Sequence, residues 1–123
     1  MSTAEVAKGL VDLCRQNKNL EAVDTYYAEN IVSVESASSP EAPAETKGIE
    51  AVRGKNKWWL DNHQVHSAEA NGPFIGEQQF AVEFKYDVTQ KASGQRFKME
   101  EMALYTVEGG KIVREHFFYN MNG

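Results

Sequence analysis

Residues 80–88 read Phe-Ala-Val-Glu-Phe-Lys-Tyr-Asp-Val, with an apolar side chain at every even position and a charged one at three odd positions. Such alternation, with a period of two, is typical of a strand that has one apolar face and one face in water. The pattern extends over 79–90, and related segments cover 64–75, 95–107 and 111–119. Turn residues separate them, among them Gly109-Gly110, a strong hairpin signal. The C-terminal half therefore predicts four long antiparallel strands.

The N-terminal half predicts helices, which can cover the apolar face of such a sheet. Residues 3–17 carry one apolar stripe at helical spacing. A shorter helix is expected after an Asn19 cap, with Tyr26 and Tyr27 on its apolar side. A third helix begins near Gly48 and runs to about Asn62, and its inner face includes Trp59 and His63.

A short strand and a loop lie between the second and third helices. The β-branched residues of 31–35 predict the strand, and the serines and prolines after it predict an exposed loop over 36–47. Helices gathered on one face of an antiparallel sheet define an α+β fold. If the sheet curls strongly around the three N-terminal helices, it encloses a cavity that is open at one end.

Length and composition indicate one domain over residues 1–123. The net charge is −5 and basic residues are scattered singly, which argues against a nucleic-acid partner. No apolar run approaches the ~20 residues of a membrane span, and no signal peptide is visible, so neither a membrane nor export is expected. The single Cys14 fits a reducing cytoplasm. Three separated histidines give no metal signature, and no cofactor is implied.

Several local patterns carry a family resemblance over nearly the whole chain. They are Asn17–Val23 at the helix pair, Tyr27–Ile31 leading into the strand, Gly48–Val52 at the third helix, and Gly109–His116 in the last hairpin. In these the chain resembles the nuclear transport factor 2-like superfamily, and within it the SnoaL-like and ketosteroid-isomerase-like proteins. The resemblance implies a conical barrel of cystatin-like topology, an apolar pocket, and homodimers formed through the convex face of the sheet. Its members include isomerases, polyketide cyclases, dehydratases, epoxide hydrolases and binding modules without catalysis.

The resemblance makes Glu35 the first catalytic candidate. An ungapped comparison with ketosteroid isomerases from Leu20 onward puts Glu35 at the general-base position. A carboxylate at the mouth of an apolar pocket is destabilised as an anion, which suits proton abstraction. The alternative is a solvated acid at a strand end. The two oxyanion donors of those isomerases align with Val11 and approximately with Met102, so a steroid-type isomerase is disfavoured.

The last strand supplies a second candidate. Alternation puts Val113, Glu115, Phe117 and Tyr119 on one face, which the resemblance assigns to the pocket. Glu115 is then either a second pocket acid or a member of an ion pair. His116 falls on the outer face, where a dimer-interface or surface role is expected.

The remaining site predictions concern the pocket wall. His63 is expected at the pocket rim as a third catalytic candidate, and Glu100 is expected to point inward unless a bulge exchanges it with Glu101. The predicted ligand-binding residues are Tyr26, Trp59, Phe80, Val82, Phe84, Tyr86, Glu100, Met102, Phe117 and Tyr119.

Three functions are compatible with this pattern. The first is an enzyme of isomerase, cyclase, dehydratase or lyase type that moves a proton on a small hydrophobic carbonyl compound. The second is a small-molecule binding module with the same pocket. The third is a dimeric interaction scaffold, whose shared surface would consist of outward-facing Tyr105, Val107, Ile112 and Phe118.

Overall fold

The computed structural model describes residues 1–37 and 43–119. Three helices and six strands are described. The helices are α1 (Thr3–Arg15), α2 (Asn19–Tyr26) and α3 (Ile49–Asn62). The strands are β1 (Tyr27–Val34), β2 (Glu45–Lys47), β3 (His63–Ile75), β4 (Gln79–Gln90), β5 (Arg96–Glu108) and β6 (Lys111–Phe118). The α+β class and the order of the predicted elements are confirmed, with small differences at their ends.

The sheet is mixed, whereas the sequence predicted an antiparallel one. Its strand order is β2-β1-β6-β5-β4-β3, and β1 pairs with β6 in parallel while all other neighbours are antiparallel. Hairpins force consecutive strands to run antiparallel, but β1 and β6 are far apart in sequence, so no short turn sets their direction.

Two further predictions about the N-terminal half need correction. Tyr27 is the first residue of β1 and does not belong to the second helix, and Asn19 is the first residue of α2, with Lys18 at the cap position. Part of the predicted loop forms β2, in which Thr46 pairs with Ser33 of β1. Residues 38–42 of that loop lie outside the described residues.

The helices cover the apolar face of the sheet. A capping box between Ser2 and Glu5 starts α1, which packs on β3 and β4, and α3 packs on β1 and β3. The core joins Val6 and Leu10 of α1 to Phe80 of β4. No helix among the described residues has the length and apolar character to cross a membrane.

The register of β5 and of the first residues of β6 differs from the prediction. On β5 the odd residues from Glu101 to Val107 face the helices, because Glu101 and Tyr105 pair with the inward-facing Phe84 and Phe80 of β4. One extra residue in β6, Val113, forms a bulge between the pairs Thr106–Arg114 and Val107–Ile112. The bulge places both Ile112 and Glu115 on the inner face.

This register contradicts part of the scaffold hypothesis. Tyr105, Val107 and Ile112, which were expected on an outward surface, are buried in the core. Phe118 is the one member of the expected set that is exposed.

Candidate functional site

A cavity of about 340 Å³ lies between the three helices and the inner face of the sheet. Aromatic rings form much of its wall, and they belong to Tyr27, Trp58, Trp59, Phe84, Tyr86, Tyr105, Phe117 and Tyr119. The ionisable acids and bases among its described lining residues are Glu35, Lys55, Glu101 and Glu115. An apolar cavity with a few polar groups is the usual form of a small-molecule site.

The first polar contact of the cavity is an ion pair. The Lys55 ammonium lies 2.8 Å from Oε1 of Glu35, and both side chains are mostly shielded from solvent. Lys55 also donates a hydrogen bond to Oγ of Ser33 at 2.7 Å. These contacts hold the Glu35 carboxylate in place just beyond the end of β1, at the cavity wall.

The second is a buried hydrogen-bond network around Glu115. The Ser33 hydroxyl donates to Oε1 of Glu115 at 2.8 Å, and the Tyr27 hydroxyl donates to Oε2. Burial raises the pKa of Glu115, although the hydrogen bond from Tyr27 and the charge of Lys55 oppose the rise. Glu35, Lys55, Ser33 and Glu115 thus form one continuous polar chain.

Glu101 faces the same cavity from β5. Burial raises the pKa of Glu101 to about 7, and the charges of Glu35 and Glu115 add to the effect while Lys55 opposes it. No hydrogen bond to its carboxyl group is made by the parts of the chain that the structure describes. At neutral pH this side chain is therefore present in both its protonated and its ionised form.

Tyr119 and Cys14 are two further titratable groups of the lining. Burial and the neighbouring charge of Glu35 raise the pKa of the Tyr119 hydroxyl to about 12. Burial raises the pKa of the Cys14 thiol to about 12 as well. Both groups are neutral at physiological pH, so Tyr119 is a hydrogen-bond donor and Cys14 is not a nucleophile.

Seven of the predicted site residues line this cavity. They are Glu35, Trp59, Phe84, Tyr86, Glu115, Phe117 and Tyr119. The six other predicted residues do not line it: His63, Glu100, Met102, Tyr26, Phe80 and Val82.

His63 does not line the cavity. Its ring stacks on Trp59 with centroids 4.5 Å apart, and its Nδ1 atom lies 2.8 Å from the Trp59 carbonyl oxygen. The expectation that His63 lies at the pocket rim is wrong. The chain turns from α3 into β3 at His63, and its ring packs on Trp59, which lines the cavity in its place.

Glu100 and Met102 point to the opposite side of β5 and are exposed. The expectation that they face the pocket is therefore wrong. Apolar residues on both faces of β5 made the two registers equally acceptable from sequence, and pairing with β4 decides between them.

Tyr26, Phe80 and Val82 do not line the cavity either. Phe80 and Val82 are buried in the core, where Phe80 stacks on Tyr105 at 4.7 Å. Tyr26 packs against Gly9 of α1, whose missing Cβ leaves room for the Tyr26 hydroxyl. These three side chains pack within or against the core, so their apolar character is explained without a role in ligand binding.

Sequence reasoning missed Lys55, Glu101 and the partners of Glu115. Lys55 lies three residues after Val52 and four before Trp59, so helical spacing puts it on the same inner face. From the sequence, Glu101 faces the pocket only if a bulge shifts the register of its strand. Tyr27 and Ser33 share the inner face of β1, but the apolar spacing of Val23, Tyr26 and Tyr27 predicts a helix there.

The SnoaL-like domain model matches residues 1–119. The chain belongs to the SnoaL-like family. A structure of a candidate SnoaL-like polyketide cyclase from Mesorhizobium loti, also labelled a carbohydrate phosphatase, is 44% identical to it. The alignment covers 97% of this chain and 100% of that one, with a TM-score of 0.91.

More distant structures show the fold of this SnoaL-like protein. A candidate isomerase from Bacillus subtilis is 16% identical over 96% of this chain and 86% of its own, with a TM-score of 0.76. A protein of cystatin-like fold from Xanthomonas campestris is 14% identical over 97% of this chain and 91% of its own, with a TM-score of 0.77. No curated protein matches the chain. The nuclear transport factor 2-like resemblance seen in the sequence is confirmed.

Proposed function

We propose that this SnoaL-like protein binds a small hydrophobic carbonyl compound in its cavity and transfers a proton on it, as isomerases, cyclases and dehydratases do. The observation that carries the proposal is that Glu35 and Glu101 line one largely aromatic cavity in different electrostatic settings. Glu35 is paired with the Lys55 ammonium, whereas burial makes Glu101 readily protonated at neutral pH. Two acids whose environments differ in this way suit the roles of base and acid.

The roles follow from these settings. The Glu35 carboxylate takes a proton from the carbon next to the ligand carbonyl. The protonated carboxyl of Glu101 donates to the carbonyl oxygen, where negative charge develops. Tyr119, neutral at this pH, is a second donor near Glu35. Glu115 stabilises the arrangement of Ser33 and Lys55 behind Glu35.

The phosphatase label of the Mesorhizobium loti relative has less support in this cavity. Phosphate recognition favours several cationic or amide donors. Lys55 is the one cation among the described lining residues, and it is already paired with Glu35.

The proposal is tested by exchange of the α-protons of small apolar ketones in D₂O, followed by NMR. The protein should accelerate exchange, Glu35→Gln should abolish the acceleration, and Glu101→Gln should reduce it. Glu100→Gln is the matched control, because Glu100 is the exposed neighbour of Glu101. Exchange that persists in Glu35→Gln contradicts the assignment of the base.

A binding module without catalysis is the second candidate. It is favoured by the contacts of Glu35, Lys55 and Glu115, which are already paired within the protein and so form a fixed polar wall. Such a module would bind the same ketones, measured by tryptophan fluorescence from Trp58 and Trp59, without exchanging their protons.

The proposal includes the family features that were expected from the sequence. These are a conical closure of the sheet around the cavity, a cytoplasmic location that suits the single Cys14, and a homodimer formed through the outer face of the sheet. The outer face supports a dimer because Met102 and Phe118 lie opposite each other in neighbouring strands and are both exposed.

A further inference from the structure

The cavity lining contains more acidic than basic groups. Among its described residues there are three carboxyl groups, Glu35, Glu101 and Glu115, and one amine, Lys55. Lys55 is engaged by Glu35 and Ser33, and Glu115 accepts from Ser33 and Tyr27. Glu101 is therefore the acid of the cavity that has no polar partner within residues 1–37 and 43–119.

Glu101 lies beside an aromatic wall. It is directly opposite Phe84 in the pairing of β4 with β5, and such opposite side chains are in contact on one face of a sheet. The Phe84 ring stacks on Tyr86 with centroids 6.0 Å apart, and Tyr86 lies 5.7 Å from Trp59. All three rings line the cavity.

The wall already accepts a cation at another point. The Lys55 ammonium lies 5.6 Å from the centroid of the Phe117 ring, within the range of a cation–π interaction. A carboxylate next to several aromatic faces is the arrangement that recognises ammonium groups, because the rings attract the positive charge and the acid balances it.

We propose that the cavity binds ligands that carry an organic ammonium group, which lies between the Glu101 carboxylate and the rings of Phe84, Tyr86 and Trp59. This inference rests on the proposed function in that both use one cavity. The ammonium ligand takes the ionised form of Glu101, whereas the carbonyl substrate takes the protonated form, so the two ligands compete for this residue. With the Glu35–Lys55 pair neutral as a whole, a ligand cation adjacent to Glu101 adds no unbalanced positive charge.

Ligand binding is then linked to protonation of Glu101. Its pKa of about 7 means that an ammonium ligand displaces a proton from the protonated form, and affinity rises with pH through this value. The titratable groups that surround Glu101 are Cys14 of α1, Glu35 beyond β1, Lys55 of α3, Tyr86 of β4, Tyr105 of β5, Glu115 of β6 and Tyr119 beyond β6. Raised pKa values keep the cysteine thiol and the three tyrosine hydroxyls neutral near pH 7. Glu35 and Glu115 already have hydrogen-bond partners in the protein, so the change in affinity is assigned to Glu101.

Two ligands of nearly equal shape separate the effect of ligand charge on affinity from the effect of ligand shape. Choline and 3,3-dimethylbutan-1-ol differ in the replacement of a quaternary nitrogen by carbon, and choline cannot lose a proton. Binding is measured by tryptophan fluorescence and by NMR titration at about pH 6 and about pH 8, on either side of the pKa of Glu101. We expect choline to bind about tenfold more tightly than the alcohol at the higher pH, with a smaller preference at the lower pH.

Two variants assign the preference to Glu101. Glu101→Gln should lose most of the preference for choline and its dependence on pH, and its retained affinity for the alcohol shows that the cavity is intact. Glu100→Gln, one residue away and exposed, should retain the tenfold preference.

Three results would overturn the inference: equal affinity of the wild-type protein for both probes, absence of choline binding at millimolar concentration, or an undiminished, pH-dependent preference in Glu101→Gln. The α-proton exchange of ketones is measured on the same samples. Exchange without a choline preference removes this inference alone, whereas a choline preference without exchange removes the proposed catalysis alone.

Discussion

The Lys55 ammonium lies between two acids of the cavity, 2.8 Å from Oε1 of Glu35 and bridged to Glu115 through the Ser33 hydroxyl. This single cation influences every carboxyl group of the lining, because its charge also opposes the rise in pKa that burial causes at Glu101 and Glu115. The electrostatics of the cavity therefore depend on a helix residue that is distant in sequence from all of the acids that it affects.

Removal of this cation should make the remaining acids easier to protonate. In Lys55→Met we expect the pKa of Glu101 to rise above its value of about 7 and that of Glu115 to rise as well. Carboxyl ¹³C NMR titration measures both. Lys57→Met is the matched control, since Lys57 pairs with Asp61 on the exposed side of α3, and it should leave both values unchanged. Unaltered titration in Lys55→Met would contradict the polar chain described here.

Glu101 should make the stability of the fold depend on pH. Its pKa is raised from 4.5 to about 7 in the folded state, so the folded state binds more protons than the unfolded state between these values. The contribution of Glu101 to stability is fully present below about pH 4.5 and is lost as the pH rises to about 7.

Replacement of Glu101 by Gln should remove this loss. Glu101→Gln should be more stable than the wild type at about pH 8, by up to about 3 kcal/mol, and similar to it at about pH 4. Urea unfolding at the two pH values measures the difference. Glu100→Gln should follow the wild type at both, and an equal effect of the two substitutions would show that burial of Glu101 is not the cause.

Phe80 should matter for stability and not for ligand binding. It is 1% exposed and stacks on Tyr105, but it does not line the cavity. Phe80→Ala should lower the free energy of unfolding by about 3–5 kcal/mol, with ketone affinity unchanged under conditions where the variant is folded. Phe74→Ala, at a residue that is 62% exposed, should cost less than about 1 kcal/mol. Weaker ketone binding by folded Phe80→Ala would show that Phe80 contributes to the ligand site.

The dimer prediction concerns the outer face of the sheet. Phe118 is 47% exposed, stacks on His116 with centroids 4.2 Å apart, and lies opposite Met102. Phe118→Glu should shift the protein from dimer to monomer, because a buried unpaired carboxylate is costly at an interface. Sedimentation equilibrium measures the change. Ile75→Glu is the control, because Ile75 is exposed and pairs with the inward-facing Phe80, so it lies on the face of the sheet away from Phe118. This variant should leave the dimer intact. A monomeric wild type would contradict the prediction directly.

Most of the fold could be predicted from local patterns. The alternation in 79–90 and the apolar stripe of α1 are properties of consecutive residues, and periodicity determines which side chains share a face of one element. The family resemblance placed Glu35 at the pocket and assigned the face of Glu115 to it, and both side chains line the cavity. The prediction failed for Glu100 and Met102, because β5 has apolar residues on both faces and only the pairing of Glu101 with Phe84 selects the register.

The sequence by itself determined the α+β class, the three helices, the four long strands and an aromatic inner face on β4. The tertiary structure decided which acids meet in the cavity. The bulge at Val113 turns both Ile112 and Glu115 inward, and packing of α3 on β1 brings Lys55 to Glu35 and Ser33 across 20 and 22 residues of sequence. Local patterns reflect forces between residues within a few positions of one another, whereas the charges of the site depend on contacts between elements that only the assembled core brings together.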